Sequence, residues 1–542
     1  MTTPMNNKPG ALAKALAQFR KIVGDDWVLT GEQDMATYRD PYSVVWDEAE
    51  EIRAVAAVAP ENVEQVQAIV RAANELGVYL YTISTGKNLG YGGTAPNSAG
   101  NVVLDLKRMK RIIEVDDKRN FCIVEPGVSY MDLYRHLQEK GLKLIIDLPS
   151  NGMGGVMGNA LDHGVGYSHG FYRDHWGSHC GMEVVLPDGE LLRTGMAAVP
   201  GATTWGDYRY GYGPFVDGIF SQANFGVVTK MGFYLLPMPE HFLTATVSVP
   251  RYEDIIPLVD IVNYLEDSNL ISFARYGSPM EIPRVISKEP DPELLKLIAQ
   301  PGGGQPESYE AYARKKGIPF WAVTLSFYGP KATVAANLDY ARQRLSAIPG
   351  ARFGDGESVA FPVSPEALAK SRSASQLGVP NMASFSLGSR NKFNANPSDG
   401  HVWFSPVIPR TGQGVIDAHR VFGAAFKEVG YPSRIGPYNG PRSWMPRTFV
   451  FMMDFYTSRS DKAENKRVKE AFEHLVRVGA QHGYTEYRTA PLFQDLVAST
   501  YSFNDNALLR FHERLKDAID PNGILAPGRA GVWPRHLRKE KT

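Results

Sequence analysis

Eleven residues, Ile83–Gly93 (ISTGKNLGYGG), restrict this chain more than any other stretch. Four glycines, Gly86, Gly90, Gly92 and Gly93, fall within eight residues. Lacking a Cβ, glycine accepts positive φ and lets backbone N–H groups approach a ligand closely. Lys87 and Asn88 add side-chain donors, and the apolar run Val78–Tyr81 just before them reads as a strand end. The stretch suits a pyrophosphate cradle. It lacks the Gly-Lys-Ser/Thr of a Walker loop, and it does not open a helix as GxGxxG does. Taken alone, it fits a plain glycine-rich turn equally well.

The flanks favour a ligand loop. Ala54–Ala59 is strand-like, and Pro60-Glu61-Asn62 starts a helix with Val63, Val66, Ile69, Val70 and Ala73 on one face and Gly77 as its stop. The next strand delivers the glycine loop at its C-terminal end, where open α/β sheets bind ligands. Helices are expected over Ala11–Val23 and Tyr130–Lys140, and short strands over Val102–Asp105, Ile112–Val115 and Phe121–Val124. A second glycine block, Leu148–Asn159, includes Pro149, Ser150, Gly154, Gly158 and Asn159, so two glycine-rich loops could line one extended ligand. Pro187-Asp188-Gly189 between two apolar runs signals a hairpin, and Asn224–Lys230 opens another strand.

The character changes after Pro237-Met238-Pro239. Beyond it, helices such as Ala332–Ala347 and Asp461–Ala480 alternate with antiparallel-looking strands, Phe320–Phe327, Val402–Val407 and Thr448–Asp454. Gln300–Gln305 reads as a surface loop, and the tail carries a helix, Asn506–Ala518, before an irregular Pro/Gly run ending at Arg529. The middle part is α+β.

Composition excludes several classes. Lys+Arg and Asp+Glu are both 58 in 542 residues, which argues against a nucleic-acid partner. No run of 18 apolar residues predicts a membrane span. The start shows no apolar leader core, the RKEKT end is no lipidation signal, and Cys122 and Cys180 form no framework, so a cytoplasmic location is expected. His163, His169, His175 and His179 have no metal-ligand spacing, so no metal is assigned, and no GxSxG elbow is present. His401, at a loop-to-strand junction, could project into a cleft or face water. Tyr487-Arg488 offers an O–H donor beside a guanidinium fork, suited to a planar oxyanion. The alternative there is a surface strand with a Glu486–Arg488 pair.

These stretches, together with GVGY (Gly164–Tyr167), DHW (Asp174–Trp176), GMEVVLPDGELLRTGM, FSQANFGVVTKMG, GHVWFSPV, EYRT and DPNGILAPGRAGVW, occur in an order that resembles the vanillyl-alcohol oxidase and 4-cresol methylhydroxylase family, eugenol-oxidase-like members included. The resemblance covers nearly the whole chain. It implies an α+β two-domain flavoprotein: an FAD-binding domain from residues 1–239 and 490–542, and a cap domain with an antiparallel sheet from 240–489. It implies FAD held by Ser84, Thr85, Gly86, Lys87, Asn88, Leu89, Gly90, Gly92, Pro149, Ser150, Gly154, Gly158, Asn159, Gly226, Val228 and Arg529, with a covalent bond from His401. Tyr91, Tyr487 and Arg488 match the family's phenolate site, Tyr167 lines the same cavity, and Ser150 sits beside the flavin. The implied reaction oxidises para-substituted phenols by benzylic hydride transfer through a para-quinone methide. Molecular oxygen, or a cytochrome c, is the implied acceptor, and a homodimer or dimer-based oligomer the implied assembly. Two positions depart from the pattern. Ser150 replaces an aspartate in Asp147-Leu148-Pro149-Ser150, so another base, Asp147 or water, is expected to serve. Trp444-Met445-Pro446 replaces Met-His-His in the cap.

Overall fold

The computed structural model describes residues 10–280, 291–300, 302–382, 396–432 and 439–538. The terminal residues 1–9 and 539–542, which hold part of the stretches bearing on a leader core and a lipidation signal, lie outside them. Among the described residues no helix is long and apolar enough to cross a membrane.

The first core surrounds a four-stranded sheet in the order Val28–Leu29, Ala56–Val58, Val102–Asp105, Leu80–Ile83. Its covering helix, Val63–Leu76, forms where the sequence marks it. The Asn62 side chain accepts from Gln65 N at 2.9 Å, and Gly77 ends the helix at φ +68°. The predicted apolar stripe is buried against the helix Ala11–Val23 and the sheet. Strand Val102–Asp105 lies between the other two strands of the expected β-α-β unit and runs parallel to both. The glycine loop therefore leaves from an edge strand.

That edge is covered by the far end of the chain. Leu80 N donates to Ile524 O at 2.8 Å, and Leu80 O accepts from Ala526 N at 2.7 Å. Pairing satisfies groups that an open edge leaves bare. The tail is locked from beneath by Lys516, which is fully buried. Its ammonium donates to Asn224 O, Leu525 O and Asp520 Oδ2, each at 2.7 Å, the partners that a buried cation requires. The tail helix runs Phe503–Ile519, but Asn504, Asp505 and Asn506 at its start have φ of 49°, 53° and 58°.

A second, five-stranded antiparallel sheet has the order Ile112–Asp116, Phe121–Val124, Val227–Tyr234, His179–Val185, Leu191–Arg193. The last two strands are the hairpin expected at Pro187-Asp188-Gly189. A third sheet, Phe273–Gly277, Trp321–Gly329, His241–Val249 and Arg352–Ala360, is also antiparallel and carries its own core. Along Phe273–Gly277, Ala274 and Tyr276 enter that core while Phe273 does not, as strand alternation requires.

The expected strand Val402–Val407 divides at Ser405. Asp399–Phe404 pairs with Met453–Ser458, whereas Pro406–Ile408 pairs with Phe449–Val450 and Thr485–Glu486. Proline lacks an N–H and cannot continue the ladder as a donor, so the backbone changes partners there. The expected strand Thr448–Asp454 divides in the same way.

Candidate active site

The two glycine blocks meet. A Cβ on Gly158, in the helix Val156–Leu161, would overlap the Ser84 hydroxyl, so this helix lies directly on the loop. Thr85 flanks the same contact, 3.2 Å from where a Gly155 Cβ would stand. Gly90 (φ +79°) faces the strand bearing His401: a Cβ there would come within 2.5 Å of Trp403 Cδ1 and 2.8 Å of His401 Cδ2. The carbonyl of Gly90 also accepts from Trp403 N at 3.2 Å. Gly92 lies against Pro491, Leu89 N donates to Lys87 O at 3.0 Å, and Lys87 itself is exposed. Gly154 O accepts from Tyr130 N at 3.1 Å, and Gly226 and Val228 stand at the start of the strand that pairs with His179–Val185. The two glycine blocks, the N-terminus of the helix Val156–Leu161 and the strand bearing His401 thus meet in one place, and backbone N–H groups there are the kind of donor an FAD pyrophosphate takes.

His401 fits a flavin attachment point and does not face water. It is 2% exposed, its Nδ1 has no partner among the described residues, and burial pushes its imidazole down to about 4, with Asp454 opposing. At neutral pH it is therefore an uncharged base with a free nitrogen lone pair or N–H.

The second cluster is built around Arg488. Its guanidinium carbon stands 4.0 Å from the ring centre of Tyr91 and 5.3 Å from that of Tyr487. Burial would lower Arg488, but the oxygens of Tyr487, Tyr91 and Asp162 hold it above its ordinary value. The Tyr91 hydroxyl lies 2.8 Å from Ser405 Oγ. The Tyr487 hydroxyl and Arg488 Nε are buried without partners among the described residues. Burial raises both tyrosines and Arg488 opposes it, so both rings remain O–H donors at neutral pH. A permanent cation and two phenolic donors, one wholly unpaired, make a pocket that is incomplete without an acceptor.

The alternative reading, a Glu486–Arg488 surface pair, does not hold. Glu486 is 3% exposed, and the ionic partner of Arg488 is Asp162, with Nη1 3.8 Å from Oδ2. The other Asp162 oxygen pairs with Arg529, and Asn88 Nδ2 donates to Oδ2 at 2.7 Å. Asp162 thus ties the glycine loop, the tail and the Tyr-Arg pair together. Asp162 and Ser405 are absent from the sequence-based site, and Glu486 enters it only as the alternative partner of Arg488. Their only local signals are an acid inside a glycine-rich block, a serine before a proline, and an acid in a run of buried residues.

The Tyr167 ring lies 6.2 Å from both Phe273 and Trp444 in edge-on contacts, and Tyr487 is near enough to act on it electrostatically. Burial raises it, while a hydrogen bond with Ser150 and the charges of Arg275 and Arg442 oppose the rise. Trp444, the first residue of the divergent cap segment, is therefore in ring contact with Tyr167. Asp147, expected as a replacement base, is fully engaged. It accepts from Ser168 N at 2.7 Å and from the Ser168 hydroxyl, and holds His175 Nε2 at 2.7 Å. A carboxylate with both oxygens committed is not free to take a proton from water. His175 Nδ1 in turn meets Asn159 Oδ1 at 2.6 Å, so the Asn159 side chain belongs to this brace. His163, His169 and His179 contact Ser221, Ser272 and Asp217 separately.

A glycine-rich loop at a strand end, a separate antiparallel sheet with its own core and a buried Tyr91–Tyr487–Arg488 cluster fit an FAD-linked oxidoreductase. Residues 54–195 match the FAD binding domain family and residues 448–530 the FAD linked oxidases, C-terminal domain family. The chain is 32% identical to the 4-cresol dehydrogenase [hydroxylating] flavoprotein subunit of Pseudomonas putida, covering 98% of this chain and 97% of that one. It is 30% identical to 1'-carboxy-chondrochloren decarboxylase of Chondromyces crocatus, covering 98% and 99%. The solved 4-ethylphenol oxidase from Gulosibacter chungangensis in its isoeugenol complex superposes with a TM-score of 0.84 at 33% identity, covering 99% and 100%. The chain belongs to the vanillyl-alcohol oxidase and 4-cresol methylhydroxylase family of FAD-dependent oxidoreductases.

Proposed function

We propose that this protein oxidises para-substituted phenols, 4-alkyl, 4-allyl or 4-hydroxymethyl phenols, at the benzylic carbon. On this reading residues 1–239 and 490–542 hold FAD and residues 240–489 cap it. The observation that carries the proposal is the cluster of Arg488 with Tyr91 and Tyr487, an anion pocket with an unpaired donor. A phenol has the pKa of tyrosine, ~10, and reaching ~7 requires roughly 4 kcal/mol of preference for the anion. Hydrogen bonds to a charged group contribute ~1.5–3 kcal/mol each, so the Arg488 fork and two tyrosine hydroxyls suffice. A sugar or hydroxy acid has no phenolate to stabilise there.

FAD in the cradle supplies the hydride acceptor. The residues of this chain do the rest. Tyr91, Tyr487 and Arg488 hold the phenolate oxygen and push electron density toward the para chain. Loss of the benzylic hydride leaves a para-quinone methide, which water attacks or which loses a proton to give an alkene or carbonyl. Tyr167, Phe273 and Trp444 bound the side-chain end, and Ser150 offers a hydroxyl there in place of a carboxylate. His401 forms the covalent bond to FAD. The acceptor is molecular oxygen, giving hydrogen peroxide. The alternative is a cytochrome, favoured by the relative named as a flavoprotein subunit.

Anaerobic titration of the holoprotein with 4-alkylphenols, followed by air, tests this. Bleaching of the flavin by 4-alkylphenols and recovery on air with peroxide is expected. Bleaching by sugars or 2-hydroxy acids instead would overturn the substrate class, and recovery only with a cytochrome would overturn the oxidase reading.

A further inference from the structure

We propose that the para chain preferred by this site is an alkyl chain ending in a carboxylate, which Arg275 and Arg442 recognise. This deepens the phenol reading above and rests on it.

The position of Arg275 follows from strand alternation. Along Phe273–Gly277, Ala274 and Tyr276 enter the cap core, so Phe273 and Arg275 share the opposite face. Phe273 meets the Tyr167 ring edge-on at 6.2 Å. Arg275 stands one step farther along that face, roughly 7 Å from Phe273 at the rise of a strand. Phe273 is buried and Arg275 is exposed, so the face opens to solvent toward the cation.

The position of Arg442 follows from the sheet edge. Phe273–Gly277 is the outermost strand of its sheet, and residues 440–444 run along its open side. Arg442 Nη1 donates to Tyr276 O at 3.4 Å, and the Ser443 hydroxyl donates to Ala274 O. Carbonyls two residues apart on such a strand point the same way, so both bonds fall on one side. Tyr276 O belongs to the peptide next to Arg275, which brings the two arginines to neighbouring places. Trp444, two residues on, reaches the Tyr167 ring at 6.2 Å. Three rings, Tyr167, Phe273 and Trp444, thus stand together with an arginine on each strand that supplies a ring.

The charges there call for an anion. Both arginines oppose the rise that burial imposes on the Tyr167 hydroxyl, so both lie within electrostatic reach of it. Nearby arginines are answered by acids: Glu266 pairs with Arg173 and Arg410, and Asp267 with Arg410 at 2.6 Å and Arg447 at 2.9 Å. The Arg275 side chain has no ion pair or hydrogen bond among the described residues. Two like charges near one ring repel each other, and an anion between them relieves the repulsion. A carboxylate matches the planar guanidinium fork with two parallel hydrogen bonds. The rings would take the methylenes of the chain, and the arginines its end. The substrate is then anionic at both ends, with its phenolate at Arg488 and its carboxylate at Arg275. The chemistry at the benzylic carbon is unchanged.

Stopped-flow reduction of the holoprotein under anaerobic conditions tests this. The probes are 3-(4-hydroxyphenyl)propanoate, its neutral amide, the cation tyramine, and 4-ethylphenol as the uncharged reference. In wild type the propanoate should bind roughly tenfold tighter than the amide at low salt, with a similar limiting reduction rate, because the charge is held away from the reacting carbon. Tyramine should bind most weakly. About 0.5 M salt should shrink the preference, since an exposed cation is screened. Arg275→Gln and Arg442→Gln should each lower the propanoate-to-amide ratio by roughly fivefold, and Arg275→Lys should restore part of it. Arg275→Glu should turn the preference toward tyramine, which a merely structural role would not do. Equal binding of propanoate and amide, while 4-ethylphenol bleaches the flavin, would overturn this inference and leave the phenol reading standing. A preference unchanged in both Gln variants would overturn the assignment to these arginines. If none of the four phenols bleaches the flavin, the phenol reading fails and this inference with it.

Discussion

The guanidinium of Arg488 lies over the ring of Tyr91, 4.0 Å from its centre, although the two residues are separated by 397 positions (488 − 91). The contact orients both groups before substrate arrives. It explains how one cation can serve a phenolate and also answer Asp162: the planar fork has five donors, and stacking leaves its edges free.

Arg488→Lys keeps the charge but loses the fork and the stacking surface. Flavin reduction by a 4-alkylphenol should fall by about ten- to a hundredfold, the loss of one charge-assisted bond. The melting temperature should change little. Stopped-flow reduction at saturating substrate checks this, and an unchanged rate would remove Arg488 from the anion pocket.

His401→Ala should release the flavin. Acid-precipitated wild type should keep its yellow colour and fluorescence on the chain, while the variant's pellet is colourless. Because burial holds His401 near 4, it is neutral throughout the pH range 5.5 to 8, and attachment should be independent of pH there. Flavin washing out of denatured wild type would show that no bond exists.

Asp162→Asn should be strongly destabilising. Asp162 meets the guanidinium of Arg529 on one oxygen, and the Asn88 amide and the Arg488 guanidinium on the other. Removing one partner from a largely buried pair costs ~3–5 kcal/mol, because the remaining charges are uncompensated. Chemical unfolding measures the difference; a loss below about 1 kcal/mol would mean that solvent already screens this cluster.

Glu486 makes stability fall as pH rises. Its folded value of about 8 lies above the unfolded value of ~4.3. Between those values the folded chain keeps a proton that the unfolded chain has lost, so the stability gained from Glu486 is fully present below ~4.3, declines through the interval, and is gone above about 8. The slope can reach ~1.4 kcal/mol per pH unit. Glu486→Gln should flatten the stability–pH curve relative to wild type between pH 5 and 8; parallel curves would mean Glu486 is not held neutral.

Ser150→Asp should change what becomes of the quinone methide more than how fast it forms. Ser150 hydrogen-bonds Tyr167, and Asp147 is committed to Ser168 and His175. A new carboxylate there would offer water a base. The ratio of hydroxylated to desaturated product from 4-ethylphenol, read by chromatography, should shift severalfold. A fixed ratio with a greatly altered reduction rate would place position 150 in hydride transfer instead.

Much of this protein is written locally. The cap at Asn62, the stop at Gly77, the hairpin at Pro187-Asp188-Gly189 and both glycine blocks follow from side chains acting on their own backbone, so sequence alone determines them. The order of its motifs also marks the family, and the Tyr487-Arg488 pair is visible as chemistry. What the sequence does not carry is which acid answers which cation. Glu486 is two residues from Arg488, yet the strand that pairs it with Pro406 turns its carboxylate to Ser405, while Asp162, 326 positions away (488 − 162), takes the guanidinium. The same holds for Asp147, an available base by sequence and a saturated brace in the fold. Such pairings depend on sheet register and on the tail returning to the Leu80 edge, long-range contacts whose energy is decided only when distant surfaces are buried together.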